Sequence, residues 1–318
     1  VPVSASFPIN GRKVYRRTSA YDGNPVTITP PSGATFEGLA SIALYGQYSY
    51  VEIERISETV FAIKDLNAWG SANNTAVGSS ALQANTTGTR NTAVGYQSLY
   101  SNTVGIYNTA LGADALQGNT TGSANTAIGT FALQGNTTGS DNTALGSGAL
   151  YSNTIGIENT AVGAESLLSN TTGTYNTALG YSALRSNTTG NYNTAIGTSA
   201  LYSKTTGRDN TAVGTNVLAQ NTTGNYNTAV GTSALRYNTT GIANTALGYC
   251  ALRDNTIGTR NTAVGSSTLV ANTTGINNTA IGDSALCSNT TGTENTAVGY
   301  QSLYSNTTGT ENTAVGYN

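Results

Sequence analysis

The chain is built on a seventeen-residue unit that recurs from residue 74 onward without a slip. The first copy begins at Asn74 and reads N-T-A-V-G-S-S-A-L-Q-A-N-T-T-G-T-R, and the fifteenth begins at Asn312. The spacing between successive copies is seventeen residues every time. A fixed period this short predicts a solenoid, in which each unit forms one coil that stacks on its neighbours.

Comparison of the copies shows which places of the unit are restricted, counting from the first Asn. The first five places hold Asn, Thr, Ala, an aliphatic residue and Gly in every copy. The ninth place is always Leu, the thirteenth Thr and the fifteenth Gly, and the twelfth is Asn except at Lys204. We predict that these places form the structural ladder, represented in the second copy by Asn91, Thr92, Ala93, Val94, Gly95, Leu99, Asn102, Thr103 and Gly105.

The composition of the unit favours strands and turns over a helix. Each unit contains two invariant Gly and several Asn and Thr, which are poor helix formers. The run T-A-V and the segment around the ninth-place Leu suit short strands, whereas N-T-T-G and G-x-x suit turns. The sequence therefore predicts an all-β fold with a parallel β-solenoid, or β-roll, of seventeen-residue coils.

Stacking also accounts for the polar residues that the unit uses. Equivalent residues of neighbouring coils in such a solenoid lie about 4.8 Å apart, so a charge at an inward place would repel its own copies. Asn and Thr can instead hydrogen-bond along the stack. The charged residues Arg185, Asp209, Arg236 and Glu294 lie at variable places. Lys204 is the exception, and we expect either a locally weaker coil or an outward-pointing amine there.

The strand of each unit predicts that the chain has partners. Successive side chains of T-A-V point to opposite faces, so the second-place Thr and fourth-place aliphatic residue share one face and the Ala occupies the other. All three places are restricted in every copy, which indicates that both faces are covered. One face can line the interior of the coil, and identical chains are the simplest cover for the other. The tenth and eleventh places vary and are expected to face solvent.

The unit resembles those of two groups of fibrous proteins. N-T-A-V-G is similar to the N-S-V-A-I-G element in the head domains of trimeric autotransporter adhesins, which are left-handed β-rolls packed as trimers. The longer run N-T-A-V-G-Y-Q-S-L-Y-S-N-T-V-G from Asn91 resembles the repeats of tail-fibre-type proteins of phages, large viruses and bacteria. The resemblance covers about residues 74–318 and implies a homotrimeric fibre at a virion or cell surface.

Residues 1–70 have a different composition and contain all five Pro of the chain. Strand-like runs are predicted at Lys13–Thr18, Pro25–Thr29, Ala40–Tyr45, Tyr48–Glu54 and Glu58–Lys64, the last two forming a hairpin. We therefore divide the chain into an N-terminal β-domain for attachment or capping, residues 1–70, and a shaft, residues 71–318, which ends within a repeat. Trp69 is expected to cover the open end of the first coil.

Several classes of function lack the residues that they need. The chain has no His and no carboxylate pair at a recurring spacing, so we expect no enzymatic activity, cofactor or metal site. A net charge of −2 and the lack of a long apolar run argue against nucleic-acid binding and membrane insertion. Cys250 and Cys287 lie two coils apart, about 10 Å along the axis, which is too far for a disulfide.

Tyrosines are the best candidates for surface contacts. Fourteen of the nineteen lie in the repeats, all at variable places, where exposed rings can stack on sugars or partner proteins. The alternative is that they simply cover a β surface. A cell-surface glycan or protein receptor is the candidate partner, and the candidate contact residues are Tyr96, Tyr100, Tyr107, Tyr151, Tyr202 and Tyr304.

The N-T-T triplets fit the acceptor pattern for N-glycosylation, as do Asn73 and Asn277. For the triplets we favour a structural role, because sugars about 4.8 Å apart would collide and a turn Asn has its amide engaged. The chain also lacks Met, so we expect that Val1 is not a translation start.

Together these features predict a non-enzymatic fibre shaft or adhesin that is extracellular or on a virion surface. Its role would be to provide length, stiffness and display for attachment to a host or surface. The alternative is a self-assembling extracellular filament, in which the strand Val1–Ile9 of one subunit adds to a sheet of the next.

Overall fold

The computed structural model describes the backbone of six strands between residues 12 and 67 and the whole of residues 73–317. The six strands are β1 Arg12–Arg16, β2 Val26–Ile28, β3 Thr35–Phe36, β4 Ile42–Leu44, β5 Tyr50–Arg55 and β6 Val60–Asn67. One sheet has the order β1-β5-β6-β3, and β2 pairs with β4. The predicted hairpin is confirmed as the antiparallel pair β5–β6, and β3 is an additional strand. Trp69 and Val1–Ile9 lie outside the described residues.

Residues 73–317 form the predicted parallel β-solenoid. Its fifteen strands each contain three residues, from β7 Thr75–Val77 to β21 Thr313–Val315, and form one sheet in chain order. Thr, Ala and the aliphatic residue of each strand pair with the same residues of the next strand, as in Thr126↔Thr143 and Ala127↔Ala144. The intervening strands are β8 Thr92–Val94, β9 Thr109–Leu111, β10 Thr126–Ile128, β11 Thr143–Leu145, β12 Thr160–Val162, β13 Thr177–Leu179, β14 Thr194–Ile196, β15 Thr211–Val213, β16 Thr228–Val230, β17 Thr245–Leu247, β18 Thr262–Val264, β19 Thr279–Ile281 and β20 Thr296–Val298.

The prediction of a second strand around the ninth-place Leu is wrong. That segment is a turn in which the seventh and ninth residues have left-handed backbone angles, as Gln97 and Leu99 do with φ of 50°. The backbone N–H groups still bond to neighbouring coils, because Leu99 N donates to Ala115 O at 3.0 Å and Gln97 N donates to Ser79 O at 2.9 Å. The backbone hydrogen bonds between coils therefore continue through the turn without strand geometry.

The core is a narrow apolar column with polar columns beside it. Ala127, Ala132 and Leu133, at the third, eighth and ninth places of one coil, are all fully buried. The first-place Asn125 and twelfth-place Asn136 of the same coil are fully buried too. Because most coils bury only one large apolar side chain, the Leu, the buried amides must be satisfied by hydrogen bonds for the coil to remain folded.

The two invariant Gly places follow from the close stacking of coils. A Cβ at Gly105, at the fifteenth place, would lie 2.3 Å from Gly122 O in the next coil. Gly95, at the fifth place, has φ of +135°, a conformation that L side chains rarely adopt. Any side chain at these places would push the coils apart.

Candidate functional site

Two buried Asn ladders run along the solenoid. At the twelfth place, Asn136 Nδ2 donates to Asn119 Oδ1 at 2.7 Å and to Gly139 O at 2.9 Å. At the first place, the backbone N and Nδ2 of Asn125 both donate to Asn108 Oδ1, at 3.0 and 3.1 Å. Each amide therefore links its own coil to the preceding one, which explains why both places are restricted.

These contacts bear on the candidate glycosylation sites. Asn119, Asn136, Asn170 and their equivalents within the stack are buried and hydrogen-bonded, so the structural role expected for the triplets is confirmed. Asn73 and Asn277 are exposed.

The thirteenth-place Thr forms a third ladder. Thr103 Oγ1 donates to Thr120 O at 3.0 Å, and the same bond recurs between Thr120 and Thr137. Thr103 N also donates to Thr120 O, at 2.9 Å. The N-T-T-G turn thus bonds to the next coil through both backbone and side chain.

The twelfth-place Asn ladder is interrupted at Lys204. Its side chain has 0% relative exposure, so the alternative that the amine points outward is wrong. Lys204 Nζ donates to Gly224 O of the next coil at 3.2 Å. Asn187 Oδ1 is a buried side-chain oxygen with no hydrogen-bond partner, and no other buried side-chain oxygen or nitrogen in the described part of the chain lacks one. Asn187 occupies the twelfth place immediately before Lys204, so the two observations mark one defect.

The strands present an open face. The Ala is buried in the strands β7 to β20 and half-buried in β21, whereas the Thr and aliphatic residue point outward, so the two lie on opposite faces as parity predicted. Leu111, Leu145, Leu179 and Leu247 are each between 45% and 48% exposed, and Ile281 is 42% exposed. This outer strand face, defined by the second and fourth places of the coils, is a continuous ribbon of Thr and aliphatic side chains in the single chain.

The candidate tyrosines lie on the surface but not in one patch. Tyr96, Tyr107, Tyr151, Tyr202 and Tyr304 are exposed. Tyr100 is half-buried. Tyr96 belongs to the sixth place and Tyr107 to the seventeenth, whereas the others belong to the tenth. The structure therefore separates the six residues into three columns.

The tenth-place column has a longer period that comparison of single units overlooks. The tyrosines of this column occur only at every third coil. Counting by three coils from Tyr100 gives Tyr151, Tyr202, Arg253 and Tyr304. These coils are 51 residues apart, which corresponds to about 14 Å along the axis. The signal is present in the sequence but appears only when units are compared in threes.

A shallow cavity of about 250 Å³ opens in this column where the side chain between two large residues is small. Ala219 lies between Tyr202 and Arg236, and its short side chain leaves the space open. We call this space the Tyr202–Arg236 notch, and its other lining residues are Ser199, Ser203, Asn216 and Gln220. An aromatic residue, an arginine and several residues with hydroxyl or amide side chains thus line one small opening.

Exposed side chains also pair between coils. Arg185 Nε donates to Glu165 Oε2 at 2.9 Å, and this hydrogen bond lowers the pKa of Glu165. The rings of Tyr175 and Tyr192 are stacked with centroids 4.9 Å apart. A hydrogen bond to Glu158 raises the pKa of Tyr175. The variable surface is therefore arranged along the same axis as the core ladders.

The described residues contain no group of three His, Cys, Asp or Glu side chains that could hold a metal ion. Over the same residues no helix is long and apolar enough to cross a membrane. Cys250 and Cys287 are free thiols, as their spacing predicted, and burial raises the pKa of Cys287. Comparison of the chain with protein-family models, curated proteins and solved structures gave no significant match.

Proposed function

We propose that this chain is the shaft of a non-enzymatic structural fibre that provides length, stiffness and display at a virion surface or outside a cell. The observation that carries the proposal is the unbroken register of fifteen parallel strands, each aligned residue for residue with the next. A structural shaft needs such regularity, because a single insertion in the repeat would bend or interrupt the stack.

The direction of the hydrogen bonds suits a load along the axis. Backbone, Asn and Thr groups each form bonds from one coil to the next, for example Thr126 N to Asn142 O at 2.8 Å and Asn142 Nδ2 to Asn125 Oδ1 at 3.1 Å. Bending or stretching the rod would strain several of these bonds at every coil together. The narrow core contributes little by comparison, because it holds one Leu per coil.

We further propose that copies of the chain contact one another through the outer strand face and form a homotrimer, as the fibrous proteins with similar repeats do. Fourteen steps of about 4.8 Å give the length of this face along the axis, and three residues of about 3.3 Å give its width along the strand. Its area is therefore about 700 Å². That area is close to the roughly 800 Å² per partner of a standard stable interface. Aliphatic side chains such as Leu111 and Leu145, nearly half exposed in one chain, would be covered by it.

Display is the role we assign to the variable places. The tyrosines of the tenth-place column recur every three coils, and the Tyr202–Arg236 notch is lined by both an aromatic residue and an arginine. This chemistry suits contact with a cell-surface glycan or protein receptor, since rings stack on sugar faces and Arg binds carboxylates.

Imaging of the native particle or cell with antibodies to residues 73–317 tests the function directly. Labelled fibres projecting from a virion or cell surface are expected, whereas label confined to the cell interior would contradict the proposal. In solution, the isolated chain should scatter X-rays as a rod, with about 65–70 Å contributed by the stacked coils. Open polymers whose length grows with concentration would favour the filament alternative.

A further inference from the structure

The interruption of the Asn ladder at Lys204 leaves the hydrogen bonds of three successive coils unbalanced. In an ordinary coil the Gly O of the fifteenth place accepts two side-chain amides, as Gly139 O does from Asn125 Nδ2 and Asn136 Nδ2, each at 2.9 Å. Gly224 O instead lies within hydrogen-bonding distance of three side-chain donors.

The three donors at Gly224 O are Lys204 Nζ at 3.2 Å, Asn210 Nδ2 at 3.0 Å and Asn221 Nδ2 at 3.1 Å. A carbonyl oxygen has two lone pairs, so one of the three bonds is weak. In the preceding coil, Asn187 Oδ1 is left without a donor. The Lys in place of Asn at residue 204 therefore leaves too many donors at Gly224 O and no donor at Asn187 Oδ1.

The charge environment of Lys204 offers little compensation for an ammonium group. Lys204 is the largest fully buried side chain among the described residues. Between residues 176 and 226, covering its own coil and both neighbours, the other charged residues are Arg185, Arg208 and Asp209. The remaining ionisable side chains of this span are Tyr181, Tyr192, Tyr202 and Tyr226.

Asp209 is the single acid of that span, and its position limits what it can offset. Its side chain is 36% exposed and lies 3.8 Å from the guanidinium of Arg208, measured from Oδ2 to Nε. Its charge is thus shared with a competing cation and screened by water. Burial lowers the pKa of Lys204 from 10.5 to about 7, and attraction to Asp209 opposes this only in part.

We propose that the coils around Lys204 form a proton-operated weak point of the shaft, closed while the buried amine is neutral and opened readily once it is protonated. A neutral amine is far less costly to bury, and its lone pair can accept a hydrogen bond. An ammonium there has three protons to place and one crowded acceptor. Opening of the flanking coils would let water solvate the charge.

The direction of the pH effect follows from the lowered pKa of Lys204. The opened state, with a pKa near 10.5, binds more protons than the closed state between pH 10.5 and about 7, so the closed state loses stability as the pH falls through this range. Below about pH 7 the amine is protonated in both states and the effect levels off. The opening equilibrium should therefore increase on the order of 100-fold from pH 9 to pH 6 and change little below that.

Native-state hydrogen exchange on the full chain measures this opening. Opening constants, corrected for the intrinsic pH dependence of exchange, are compared between segment 193–220 and the regular segment 108–135. We expect the first to increase about 100-fold between pH 9 and pH 6 and the second to remain nearly constant. Equal pH profiles for the two segments would overturn the proposal.

Two variants separate the charge from the break in the ladder. Lys204→Asn restores an amide to the column, so segment 193–220 should become as protected as segment 108–135 at every pH. Lys204→Met leaves Asn187 Oδ1 unpartnered but cannot titrate, so the segment should remain weaker than its reference with no dependence on pH. Persistence of the pH dependence in either variant would show that another group causes it, and would refute the proposal.

Discussion

At the scale of single residues, the fold depends on side chains in unusual backbone conformations. Leu133 has φ of 52°, which costs roughly 1 kcal/mol or more for a non-Gly residue, yet every complete coil places its Leu this way. The conformation turns the side chain into the core, where it is fully buried. Burial of a Leu contributes about 1.5–3 kcal/mol, enough to offset the backbone cost.

We therefore expect Leu133→Ala to destabilise the shaft by about 2–5 kcal/mol, because it leaves a cavity while keeping the unfavourable backbone angle. Chemical unfolding followed by circular dichroism measures the change. Thr138→Ala, at an exposed place in the same coil, is the matched control and should change stability by less than about 0.5 kcal/mol. Equal effects of the two variants would mean that the Leu column is not the core.

The Asn ladder gives a second prediction at this scale. Asn136→Ala removes a donor to Asn119 Oδ1 and to Gly139 O and an acceptor for Asn153 Nδ2. Asn119 Oδ1 and one proton of Asn153 Nδ2 are then left unpaired at a cost of about 1–3 kcal/mol each, so the loss should exceed that of a single hydrogen bond. Comparison with Thr138→Ala under the same conditions tests this, and an unchanged unfolding midpoint would contradict it.

At the scale of elements, the two faces of each strand have opposite environments. Ala212 is fully buried in the coil, whereas the adjacent Val213 is half-buried on the outer strand face. The parity argument from T-A-V predicted this alternation. It could not say which face lined the coil, because both faces carry restricted residues.

Asp substitutions at these neighbouring residues separate folding from association. Ala212→Asp buries an unpaired charge in the coil and should prevent folding. Val213→Asp places the charge on the outer strand face, so the coil should remain folded while association of chains is lost. Circular dichroism reports the fold and light scattering the mass. A folded Val213→Asp variant with the mass of the parent protein would show that this face is not an interface.

The sequence alone was sufficient to predict the solenoid, its period and the alternation of the Ala with the Thr and aliphatic residue between two faces, because each depends on repetition or on strand parity. It was insufficient at the ninth-place Leu, where left-handed residues replaced the expected strand. Leucine gives no local signal for such an angle, which arises from bonds to neighbouring coils. The sequence was also insufficient at Lys204. Its position in a column of Asn residues showed that it was unusual, but only the structure shows that its amine is buried.

At the scale of the whole molecule, the coils repeat a small exposed surface many times. Each coil adds only a Thr and an aliphatic side chain to the outer strand face, but these sum over fifteen strands to about 700 Å². An interface of that area supports stable association even though a single coil could not. Association should therefore be a property of the shaft and should not require residues 1–70.

Residues 71–318 alone should accordingly form a trimer that dissociates only when it unfolds. Multi-angle light scattering gives the mass, and thermal unfolding at several protein concentrations should show a midpoint that rises with concentration, because association is coupled to folding. The full chain is the control and should have the same number of subunits. If residues 71–318 are a stable, folded monomer while the full chain associates, the contact lies in the N-terminal residues, and the filament joined by strand addition becomes the better account of assembly.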